Sequence, residues 1–117
     1  MTKVNQGEKS PQISYFLFLK AKKMQMQGLV ENTISNLLRA ISIQEDIEQT
    51  IEVKSAQLGR YYYFLGTVYH GDRKLEDTLR CFKKAREILT PHGDFVELVT
   101  ELDFHIRKLR TEMGIKD

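Results

Sequence analysis

Between Pro11 and Gly114 apolar residues recur at spacings of three and four, the signature of helices with one buried stripe. No segment alternates apolar and polar residues in twos, as a half-buried strand would. Ser10-Pro11 reads as a helix start, serine capping the free N–H groups and proline fitting the first turn. The first helix is expected from about Pro11 to Gln27, with Gly28 as its stop. A second begins near Val30 and carries Val30, Ile34, Leu37, Leu38 and Ile41 on one side. Glu45, Asp46 and Glu48 oppose the negative pole of a helix C-terminus, so this helix is expected to end near Gln44 and a third to begin near Glu48. One helix continuing to Gln49 is the other reading. The third helix runs to Tyr69 with Ile51, Ser55, Leu58, Tyr62, Leu65 and Tyr69 inward. His70-Gly71-Asp72 turns the chain, and a fourth helix over 74–89 buries Leu75, Leu79, Phe82, Ala85 and Leu89. Thr90-Pro91-His92-Gly93 stops it. Asp94-Phe95-Val96-Glu97 reads as a capping box for a fifth helix, which carries Phe95, Leu98, Leu102, Ile106, Leu109 and Met113 to Gly114. The class is all-α with five helices. Residues 1–9 are polar and aperiodic and read as a flexible tail before a single domain over 10–114.

The chain is similar to itself at a shift of 45 residues. Leu17 falls on Tyr62, Ala21 on Gly66, Met24 on Tyr69, Thr33 on Thr78, Leu37 on Phe82 and Ala40 on Ala85, large on large and small on small. The second copy reads Tyr62-x-x-Leu65-Gly66-x-x-Tyr69, then Thr78-x-x-x-Phe82-x-x-Ala85, then Thr90-Pro91. This pattern closely resembles the tetratricopeptide repeat, over about residues 14–90. Thr78 stands where the family has alanine, Pro91 comes one residue late, and Lys20 takes the leucine place in the first copy. The interval exceeds the family's ~34 residues by about three helical turns, which predicts an unusually long third helix.

The resemblance implies two helical hairpins stacked side by side, with the fifth helix capping the exposed end of the core. In such repeats the first helix of each hairpin lines a concave surface that holds a partner's peptide or helix. Carried onto this chain, that surface consists of Phe18, Lys22 and Gln25 from helix one and Arg60, Tyr63, Thr67 and His70 from helix three. A mixed aromatic and basic groove suits an amphipathic or acidic peptide. The expected function is therefore a small non-enzymatic adaptor or regulator that binds another protein or peptide. A peptide-sensing regulator or antagonist, resembling bacterial receptors of this repeat family, is a second reading. A nucleic-acid or phosphoprotein binder using the basic helix 74–89 is a third. With only two repeats and a cap, a homodimer could supply the missing burial.

Composition narrows the classes. Eighteen Lys and Arg against sixteen Asp and Glu leave a net charge of +2, too weak an excess to call for nucleic acid. The longest apolar runs, Tyr15–Leu19 and Tyr61–Leu65, are five residues long and far short of a membrane span. The first residues have no apolar core and do not read as a signal peptide. The one cysteine, Cys81, fits a reducing compartment, and a cytoplasmic location is expected. His70, His92, His105 and Cys81 lie at no metal-binding spacing, so no metal or cofactor is expected. Cys81 aligns with Asn36 and is expected at the periphery, without a neighbouring histidine to make it a nucleophile. The seven glycines form no phosphate-binding loop, and the carboxylate clusters read as solvated helix faces.

Overall fold

Ser10 caps the first helix as its sequence predicts, its Oγ accepting from the Ile13 N–H at 3.2 Å with Pro11 in the first turn. The computed structural model describes residues 9–115. Among them it contains α1 (Pro11–Met26), α2 (Val30–Ile47), α3 (Ala56–Gly71), α4 (Leu75–Leu89), a 3-10 turn (Gly93–Phe95) and α5 (Val96–Glu112). The fold is all-α, with five α-helices and no strand among the described residues. The chain divides between Glu52 and Val53 into two compact units. The tail expected over 1–9 lies outside the described residues except for Lys9, whose Nζ is 3.0 Å from Asp46 Oδ2.

The N-terminal unit is the α1–α2 hairpin. Leu17, Ala21, Leu37, Ala40, Ile41 and Ile43 are buried in it. A polar chain is buried with them: Ser14 Oγ lies 2.7 Å from Gln44 Oε1, and Gln44 Nε2 donates to Glu48 Oε2 at 2.6 Å. This packing corrects the predicted helix break. The acidic cluster does not end α2 near Gln44. Burial of Ile43, Gln44 and Glu48 carries the helix on to Ile47, while Lys9 offsets the charge of Asp46. The long third helix is likewise not formed. Residues 48–55 form turns and bends instead, Ile51 and Val53 are exposed, and Ser55 caps α3 by accepting from the Leu58 N–H at 3.3 Å.

The C-terminal unit packs α3, α4 and α5 around Leu79, Phe82, Ala85, Leu89, Leu102 and Leu109. Fully burying leucines such as Leu89 and Leu102 contributes about 2 kcal/mol each. Two glycines let α3 and α4 approach closely. A Cβ on Gly66 would stand 2.5 Å from the Phe82 ring, and one on Gly59 would stand 2.7 Å from Leu89. The 3-10 turn displaces the expected capping box: α5 starts after Phe95, without a side-chain cap, and Asp94 lies within the turn. His92 anchors this corner instead, its Nε2 2.8 Å from the Lys54 carbonyl and its ring edge-on to Phe95.

The two hairpin turns repeat at the same 45-residue shift as the sequence. Gly28 and Arg73 both adopt positive φ, 79° and 64°. Leu29 N–H donates to Met24 O, and Lys74 N–H to Tyr69 O, each at 3.0 Å. Gly28 N–H donates to Gln25 O at 3.0 Å, and Arg73 N–H to His70 O at 3.1 Å. Each pair of bonds closes a Schellman turn. Thr33 and Thr78, both fully buried, each donate Oγ1 to the carbonyl four residues back at 2.8 Å.

Candidate binding cleft

Helix α4 is amphipathic with a basic outer side, and α5 crosses beside it without covering all of its apolar edge. The result is a cleft of about 840 Å³ in the C-terminal unit. Tyr62, Leu79, Ile106, Met113 and Ile115 form its apolar lining, and Arg80, Lys83, Lys84, Arg86 and Arg107 stand around it. Three acids, Glu76, Glu87 and Asp103, also line it. Two of the cations are already neutralised: Arg86 Nε donates to Asp103 Oδ1, and Arg80 donates to Asp77 Oδ1. Lys83, Lys84 and Arg107 make no ion pair among the described residues and are exposed. Glu76 and Glu87 are likewise exposed and make no ion pair among the described residues, so the cleft presents an oily floor with a mixed rim in which unpaired cations outnumber unpaired acids by one, a modest bias toward an acidic ligand that also has apolar side chains.

Cys81 lines the same cleft but is buried, against the peripheral position expected from its alignment with Asn36. Burial pushes its thiol up to about 11, with Arg80 pulling the other way and Asp77 adding to the rise. The thiol is therefore protonated and poorly nucleophilic at neutral pH.

A second, smaller cleft of about 230 Å³ brings together three of the residues expected to bind a partner, Tyr63, Thr67 and His70. His105, Lys108, Leu109 and Glu112 of α5 face them across it. Tyr63 stacks on Phe82 with ring centroids 5.9 Å apart, and Phe82 in turn lies 6.0 Å from the His105 ring. Burial raises the Tyr63 phenol pKa, with a smaller push from Glu101. Thr67 spends its hydroxyl proton on the Phe64 carbonyl at 2.7 Å. Helix α5 thus narrows the aromatic surface that the sequence left open.

The remaining expected site residues are placed differently. Arg60 is exposed on α3 but lines neither cleft. Phe18, expected as an open aromatic anchor, is only 4% exposed and is corrected to a core residue, because α1 turns that side inward along with Ser14 and Ala21. Lys22 lies over its ring, Nζ 5.2 Å from the centroid, and Gln25 is exposed. These three belong to the N-terminal unit, whereas Arg60, Tyr63, Thr67 and His70 belong to the C-terminal one. The larger cleft includes residues that periodicity assigned to the core stripe of α5, Ile106 and Met113. The basic run of α4 was the signal that pointed to its rim.

Among the described residues no group of three His, Cys, Asp or Glu side chains is placed to hold a metal ion. No helix among them is long and apolar enough to cross a membrane. The chain matches no protein-family model, no curated protein and no solved structure.

Proposed function

We propose that this chain is a non-catalytic, cytoplasmic interaction module of tetratricopeptide-like design, and that its C-terminal unit captures an acidic, partly apolar segment of a partner protein in the α4–α5 cleft. The observation that carries this reading is the cleft itself, an apolar floor beside three cations, Lys83, Lys84 and Arg107, that make no ion pair among the described residues and outnumber the two unpaired acids of the rim, Glu76 and Glu87. A partner helix would seat apolar side chains against Leu79, Ile106 and Met113, while its carboxylates meet Lys83, Lys84 and Arg107. The repeated Schellman turns and the paired buried threonines support a hairpin-repeat architecture behind it. The smaller cleft at Tyr63, Thr67 and His70 supplies a second place for an aromatic or apolar anchor.

Fluorescence anisotropy with labelled amphipathic peptides of glutamate and leucine tests the reading. The expected result is saturable binding that weakens at least tenfold in a Lys83→Glu/Lys84→Glu/Arg107→Glu variant, with helical circular dichroism unchanged. Equal binding of a basic control peptide, or no loss in the triple variant, would count against it. Binding of duplex DNA instead, with a steep salt dependence, would favour the phosphate-binding reading of α4.

A further inference from the structure

The first and last helices each have an exposed outer stripe, basic over residues 16–23 of α1 and acidic over residues 97–104 of α5, with Lys108 one turn beyond Phe104 as a base on the second. On α1, Phe16 is 60% and Leu19 45% exposed, and Lys20 and Lys23 are exposed beside them. Residues 16, 19, 20 and 23 follow the i, i+3, i+4, i+7 spacing of a single helical face. Neither lysine makes an ion pair among the described residues. On α5, Phe104 is 54% exposed, and Glu97 and Glu101 are exposed on the same face, seven and three residues earlier. Glu101 has only a 3.9 Å contact with His105, and Glu97 has no ion pair among the described residues.

We infer that α1 of one copy docks antiparallel on α5 of a second copy, so that the chain associates with itself head to tail. The register follows from the spacing. Antiparallel helices that place Phe16 opposite Phe104 place Leu19 opposite Glu101, Lys20 beside it, and Lys23 opposite Glu97. The seven residue steps from Phe16 to Lys23 and the seven from Glu97 to Phe104 each span about 10.5 Å at the helical rise. The aromatic pair and the charge pairs therefore meet together. Parallel packing with Phe16 on Glu97 would keep one charge pair, Lys20 with Glu101, but would lose the aromatic pair and set Phe16 against a carboxylate. Each face is exposed and offers the charge that the other lacks, so the occupant each one fits is the matching face on a second copy of the chain. The contact joins unlike surfaces. Made twice between two copies it closes a dimer, and made once per neighbour it builds a ring or an open chain.

A charge swap tests the pairing. Sedimentation velocity of the full chain should show a mass above 13.7 kDa that grows with concentration. Lys20→Glu/Lys23→Glu leaves both faces acidic, and Glu97→Lys/Glu101→Lys leaves both basic. Each variant alone should associate about tenfold more weakly or worse. An equimolar mixture of the two should recover the wild-type behaviour, because each acidic face again meets a basic one. All four positions are exposed, and circular dichroism verifies that the variants fold. Phe104→Ala, which alters no charge, should weaken association as well. A wild-type chain that stays monomeric at every concentration, association unaffected by either double variant, or a mixture that fails to recover would each overturn the inference.

Discussion

Of the glycines in the C-terminal unit Gly66 leaves a Cβ the least room, and adding a single carbon there gives a result that can be worked out in advance. An alanine Cβ would fall 2.5 and 2.6 Å from two Phe82 ring carbons and 3.2 Å from the Cys81 Cβ. Phe82 is only 4% exposed and is packed between Tyr63 and His105, so the ring has little freedom to yield. Overpacking of this kind costs about 1–3 kcal/mol. The helix preference of alanine over glycine returns about 1 kcal/mol. The net expectation for Gly66→Ala is a loss of about 1 kcal/mol, against the gain that propensity alone would give. The first hairpin supplies the remedy, since Ala21 and Leu37 occupy the corresponding places and both are fully buried there. Phe82→Leu alone should cost about 1–2 kcal/mol through the space it leaves. The double variant Gly66→Ala/Phe82→Leu should cost less than the sum of the two, by about 1 kcal/mol or more. Urea unfolding followed by far-ultraviolet circular dichroism and by tyrosine fluorescence measures all three. Additive effects, or a stabilising Gly66→Ala, would refute the packing argument.

Arg73 holds a positive φ in the turn where the first hairpin has Gly28, so Arg73→Gly should stabilise the chain by about 1 kcal/mol in thermal or urea unfolding, and Gly28→Ala should destabilise it by a similar amount. Gln44→Leu copies the second hairpin's Leu89 but removes the donor to Glu48, so it should lower stability by about 1–3 kcal/mol, with urea midpoints as the readout. Burial raises the Cys81 thiol pKa from about 9 to about 11, so the folded state holds that proton more tightly than the unfolded one. Its stabilising contribution is full below about pH 9 and is lost as pH climbs toward 11. Iodoacetamide at neutral pH should accordingly modify Cys81 slowly until denaturant is added, as followed by intact mass.

Local chemistry was enough to read the helix count, the cap at Ser10, the stops at Gly28 and Gly114 and the 45-residue shift. Each of these depends on a few neighbouring residues, and the hairpin turns obeyed the shift down to their hydrogen bonds even where arginine replaced glycine. Ser55 itself was read as an inward residue of a longer helix, because a serine on a periodic stripe and a serine at a cap differ only in what precedes them. What ended α2 was decided in three dimensions: the acids at 45, 46 and 48 argued for a break, and the burial of Glu48 against Gln44 and Ser14 overrode them. The candidate site was legible in its residue types, aromatic and basic, but not in its location. Periodicity reports which side of a helix is apolar, not which neighbour covers it. Packing therefore determined that Phe18 is enclosed, that α5 narrows the surface at Tyr63, and that the widest opening lies between α4 and α5.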